Sequence, residues 1–192
     1  MTIEACEDLG TWFRSVVGSA MRRQGVDAEP ETTEYIAGLL VHCAGAGSRE
    51  FLDQPMAQVL HEALESAPGM RLVRLQRVGD GSLCLAGLFG SHVERSQLDP
   101  GYYVTLGRFA YREAAALARV HGGEPVALRE LGEQFPRFVD VLSEVAESAA
   151  LGSVARSVVQ LYDRFKRGGS QKALEELARR GVFPGRPGEG AC

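Results

Sequence analysis

Apolar residues recur along this chain at three- and four-residue spacings, and glycine or proline breaks the rhythm at intervals. Leu9, Trp12, Phe13, Val16, Val17, Ala20 and Met21 share one face of a helix that should end near Gly25. Beyond Pro30, with Thr32 or Thr33 as cap, Tyr35, Ile36, Leu39, Leu40 and Cys43 mark a second helix. Asp53 or Gln54 before Pro55 predicts the start of a third, because proline in a first turn loses no needed donor. Met56, Val59, Leu60, Ala63 and Leu64 form its apolar face, and Pro68-Gly69 should close it. Met70, Leu72, Val73, Leu75 and Val78 alternate with Arg71, Arg74 and Arg77, which predicts a fourth, more exposed helix. The run Gly79-Asp80-Gly81 reads as its stop, with Ser82 capping a fifth helix.

That fifth helix opens the densest apolar stretch. Leu83, Leu85, Ala86, Leu88, Phe89 and Val93 crowd it, and Tyr103, Val104, Leu106, Phe109 and Ala110 crowd the helix after it. A helix apolar around most of its circumference belongs inside a domain, so this pair is expected to be the buried centre. Gly87, Gly90 and Gly107 each cost helix propensity, about 1 kcal/mol against alanine, which places them where backbones approach closely. A further helix is expected from Val126 to Ser148, kinked or divided at Pro136. Leu151 to Arg167 and Ser170 to Arg180 continue the helical pattern, and Val182 and Phe183 suit a fold-back onto apolar surface. The expectation is an all-α fold: one domain over residues 1–183, a bundle of roughly eight helices with a buried central helix pair. Residues 170–183 would be its basic C-terminal helix and fold-back, and residues 184–192 a disordered tail.

Composition narrows the setting. Hydrophobic residues are 45% and charged residues 24%, ordinary for a soluble domain, and no apolar run is long enough to span a bilayer. The acidic start lacks a secretory pattern, and Cys6, Cys43, Cys84 and Cys192 are too dispersed for a disulfide framework, so a cytoplasmic protein with reduced thiols is expected. Residues 1–150 hold 13 basic and 21 acidic side chains, a net of −8, whereas residues 151–192 hold 8 and 4, a net of +4. Arg164, Lys166, Arg167, Lys172, Arg179 and Arg180 concentrate that positive charge into a candidate surface for a protein partner with an acidic face. Nucleic acid is not expected: the sequence pI is about 5.6 and no reading motif is present. A homo-oligomer is left open.

Catalytic, metal-binding and cofactor-binding residues are not expected. Ser91 and His92 are adjacent, so a helix would point them to different sides, and no strand precedes them to build a nucleophile elbow. The histidines, His42, His61, His92 and His121, lack a spacing that puts two ligands on one helical face. Gly45-Ala46-Gly47-Ser48 and Gly79-Asp80-Gly81-Ser82 complete no phosphate-binding pattern and read as helix caps. Glu130 with Glu133, and Glu144 with Glu147, read as solvated faces, and the cysteines as small buried hydrophobes. The aromatic centre offers one alternative: Phe89, His92, Tyr102, Tyr103 and Tyr111 are candidate walls of a pocket for an apolar or planar ligand.

The block Leu83…Gly87-Leu88-Phe89…Pro100-Gly101-Tyr102-Tyr103…Gly107…Ala110-Tyr111 resembles a family of bacterial all-helical proteins with no known activity. A Gly-Asp turn and a Tyr-Tyr…Gly…Ala-Tyr core helix carry the resemblance, which extends over about residues 30–184; Leu88 stands where that family more often has phenylalanine. It implies a helical fold and transfers no functional residue. Two functions are therefore expected from the sequence. The first is a non-catalytic interaction or regulatory protein; the second is a bundle with an internal pocket that binds a small apolar ligand or acts on one.

Overall fold

A computed structural model describes residues 2–44, 51, 54–89, 99–148 and 171, 172, 175 and 176. Among the described residues there are seven helices and no strand: α1 (Thr2–Gln24), α2 (Pro30–Ala44), α3 (Met56–Glu65), α4 (Pro68–Gly87), α5 (Pro100–Val120), α6 (Val126–Glu133) and α7 (Phe135–Glu147). The fold is all-α, as the periodicity predicts, and none of these helices is long and apolar enough to cross a membrane. The two helices expected after Leu151 lie outside the described residues, except for helical positions at Gln171, Lys172, Glu175 and Glu176.

Local chemistry explains most of the boundaries. Gly25 ends α1 at φ +63°, a conformation open to glycine, and the amides of Gly25 and Val26 bond the carbonyls of Arg22 and Met21. Val26, buried just beyond, seals that turn against the core. Asp99 caps α5 by accepting the Gly101 amide at 2.9 Å, with Pro100 opening the helix. Pro136 divides the long apolar segment as expected, separating α6 from α7 at Gln134. Pro68 works in the opposite sense to the expectation: it opens α4, and α3 has already ended at Ser66.

The larger difference is at Gly79-Asp80-Gly81. No turn forms there. The expected fourth and fifth helices are one continuous α4, and Ser82 lies buried in its interior rather than at a cap. From Gly81 to Leu85 every residue of α4 is buried, because the helix is packed on several sides. Its most extensive pairing is with α5, and α3 and α7 close on other faces. The expected central pair is therefore present, but its first member is a 20-residue helix.

Glycine sets how closely that pair approaches its neighbours. A Cβ on Gly107 of α5 would stand 2.2 Å from the Phe135 ring and 3.0 Å from Ser82 Cβ. A Cβ on Gly87 would stand 2.6 Å from Leu142 Cβ, so α4 lies nearly backbone-to-side-chain on α7. Two expectations fail at this level. Phe109 is 42% exposed, because α5 keeps an outer face with Thr105, Arg112 and Glu113. Glu130 is not on a solvated face: it is buried and accepts the Thr32 hydroxyl at 2.6 Å and the Glu29 amide at 3.0 Å. A carboxylate at the start of α2 satisfies exposed amide donors there and complements the helix dipole.

Two alanine substitutions separate packing from helix propensity. Gly38 sits on the exposed face of α2 with no atom near its Cβ direction. Gly38→Ala is expected to stabilise the fold by about 0.5–1 kcal/mol. Gly107→Ala should destabilise it by about 1–3 kcal/mol through overpacking, despite the same gain in propensity. Urea unfolding measures both; equal stabilisation by the two variants contradicts the close approach of α5 to Phe135.

Candidate functional site

The Gly-Asp-Gly run inside α4 is where three helices converge on one carboxylate. A Cβ on Gly79 would lie 2.6–2.8 Å from three atoms of the Tyr111 ring, so glycine lets that ring press against the backbone of α4. The next residue, Asp80, then receives the Tyr111 hydroxyl on Oδ1 at 2.7 Å. From α2, the Tyr35 hydroxyl donates to the same oxygen at 2.8 Å. The two tyrosine rings meet edge to face at 6.3 Å, and Tyr111 leans on Phe135 at 5.9 Å. On the other flank, Gly81 admits the Met56 sulfur and the Phe51 ring close to α4.

Burial dominates the electrostatics. It pushes the Asp80 carboxyl up to about 6, against the Tyr111 and Tyr35 hydrogen bonds and the influence of His42, which all lower it. The tyrosines are held firmly as neutral donors: burial first, and then the Asp80 charge, raise the phenol of each. Among the described residues no arginine or lysine pairs with Asp80. Both hydroxyls take Oδ1, and no described donor reaches Oδ2.

Asp80 is not sealed off. It lines an open groove of about 530 Å³ whose walls are Glu34, Tyr35, Gly38, Leu39 and His42 of α2, Val73, Gln76 and Arg77 of α4, and Phe51. The groove exists because α2 packs on α1 and α6, leaving a gap towards α4. Glu34 at the rim is ion-paired with Arg14, and Arg77 donates to Gln54 Oε1 at 3.1 Å. The His42 and Phe51 rings meet edge to face at 5.7 Å.

The residues singled out from the sequence are placed unevenly. Tyr111 reaches Asp80, whereas Tyr103, two turns earlier on α5, is buried and meets Tyr102 edge to face at 5.1 Å. Phe89 is buried just beyond α4, and none of Phe89, Tyr102 and Tyr103 lines the α2–α4 groove. His92 lies outside the described residues. Of the basic cluster, Lys172 is exposed, and Arg164, Lys166, Arg167, Arg179 and Arg180 lie outside the described residues. Cys43 and Cys84 are buried, unbridged thiols, and burial raises Cys84 further from the thiolate. Among the described residues no three His, Cys, Asp or Glu side chains group as metal ligands.

Asp80, Tyr35 and the groove were missed, although a signal was present. Leu72, Leu75, Val78, Ser82 and Leu85 keep helical spacing straight through the glycines, so the rhythm does not stop where composition says it should. Comparison with protein-family models, curated proteins and solved structures finds no match.

The raised carboxyl makes a stability prediction. With its folded pKa above the unfolded value, Asp80 contributes stability below about pH 4, and this is lost as pH rises through about 6. Asparagine can accept both tyrosine hydroxyls without carrying charge. Asp80→Asn is therefore expected to exceed the wild type in urea-unfolding stability by about 1–2 kcal/mol near pH 8, the gap closing towards pH 4. A variant less stable than wild type near pH 8 contradicts this balance.

Proposed function

We propose that this chain is a small-molecule-binding module whose ligand lies in the α2–α4 groove and is anchored at Asp80. One observation supports the reading above others: a half-buried carboxylate, pre-oriented by two tyrosines, stands in a groove otherwise walled largely by apolar and aromatic groups. Ligand sites combine such walls with few, well-placed polar groups, and the groove volume suits a small organic molecule. Tyr35 and Tyr111 hold Oδ1 fixed, so little ordering of the carboxylate is needed when a ligand arrives.

This takes up the pocket expectation, at a different set of walls, in preference to the macromolecular interface. The Asp80 groove supports this choice; Arg164, Lys166, Arg167, Arg179 and Arg180 of the basic cluster lie outside the described residues and bear on neither reading.

Gly38→Phe tests the proposal. The new ring enters the groove from an exposed helical position whose Cβ direction is open, so the fold should be retained. Wild-type protein purified natively from its own cells should release a small molecule on denaturation, detected by mass spectrometry. The variant should release little or none, with an unchanged circular dichroism spectrum. Equal release from both proteins, or none from the wild type, counts against the groove as the binding site.

A further inference from the structure

Asp80 poses a question that groove binding alone does not answer. Two tyrosine hydroxyls need an acceptor, and an asparagine carbonyl would supply one at no cost in buried charge. The chain instead carries a carboxylate in the middle of a helix, between two glycines. Among the described residues, the groups that act on it are Tyr35 and His42 from α2, Tyr111 from α5 and Cys84 one turn along its own helix. None of these is a permanently charged cation. A half-buried anion whose described neighbours include no permanent cation is unfavourable by itself and becomes more favourable when an opposite charge is delivered to it.

We infer that the group Asp80 receives is a cation, a primary ammonium carried on an apolar or aromatic body. The inference rests on the groove reading above and specifies what the groove takes. Oδ2 is the oxygen to which no described side chain donates, and an ammonium has three donors to offer it. Tyr35, whose hydroxyl reaches the carboxylate, lines the groove beside it, and Leu39, Phe51 and Val73 accommodate the apolar body. Glu34 at the rim is already ion-paired with Arg14, which leaves Asp80 as the carboxylate in the groove lining that meets the cation. Arg77, the one arginine in the described lining, donates to Gln54. A carboxylate ligand would meet Asp80 with like charge, and a neutral alcohol would offer one hydrogen bond and no opposite charge.

Three probes of one shape test this: 2-phenylethylammonium, 2-phenylethanol and 3-phenylpropionate, titrated calorimetrically into wild type, Asp80→Asn and Gly38→Phe. The ammonium should bind the wild type at least about tenfold more tightly than the alcohol, and the carboxylate should bind least. Asp80→Asn should bring ammonium and alcohol to similar affinity, and Gly38→Phe should abolish both. Lowering the pH below about 6 should weaken ammonium binding to the wild type by a larger factor than alcohol binding, because protonated Asp80 carries no charge. Equal wild-type affinities that Gly38→Phe abolishes overturn the cation and leave the groove standing. A preference that survives in Asp80→Asn also overturns it, by placing the charge recognition elsewhere. Ammonium binding untouched by Gly38→Phe overturns the groove itself, and no measurable binding of the ammonium at millimolar concentration overturns the inference.

Discussion

The passage of α4 through the core without a break is the constraint on which the rest of the structure depends. A helix interrupted at Gly79 would free its backbone donors and acceptors in the most buried part of the molecule, where each unpaired group is costly. Continuity satisfies them internally, and it lets α3, α5 and α7 pack against one uninterrupted element. The helix keeps its hydrogen bonds even with glycines at 79, 81 and 87, which disfavour it locally. Tertiary packing compensates: each of these glycines admits a side chain from a neighbouring element, Tyr111 at Gly79, Met56 and Phe51 at Gly81, Leu142 at Gly87.

The site depends on the same arrangement. Because Tyr111 lies against Gly79, its hydroxyl is delivered to the adjacent Asp80, and the second tyrosine comes from a helix that packs elsewhere, on α1 and α6. One oxygen is thus fixed from two directions by elements positioned for other reasons. That is preorganisation by the scaffold, on a carboxylate that lines the groove and has both tyrosine hydroxyls on one oxygen. Glu130 shows the contrasting use of a buried carboxylate. Its partners, the Thr32 hydroxyl and the Glu29 amide, lie at a helix start, so its charge is already complemented within the fold.

A charge held at some expense to stability is a mark of function more than of architecture, since a neutral isostere would serve the fold. On the proposed function Asp80 fits that description, and the ion pairs elsewhere do not. Arg14 with Glu34 and Arg23 with Glu144 join exposed or half-exposed groups across helices, where screening makes each pair individually weak. They trim the packing of α1 against α2 and α7 and ask for no ligand.

The sequence by itself determined the helical class, the end of α1 and the break at Pro136, because these rest on short-range rules: a 3.6-residue period, a glycine at positive φ, a proline without an amide hydrogen. It also marked Gly107 and Gly87 as places of close approach, since a glycine in a strongly apolar helix has few other reasons to be there. Which glycines end a helix and which are buried inside one was decided only in three dimensions. Gly25 and Gly79 look alike along the chain, but one turns its backbone in solvent reach and the other lies under an aromatic ring. The same holds for the acids: Glu130 and Asp80 are ordinary surface residues by composition, and their burial depends on partners 98 and 31 or 45 positions away. Local propensity is summed over neighbours in sequence, whereas the environment of a carboxylate is set by neighbours in space, and only the packed helices bring those together.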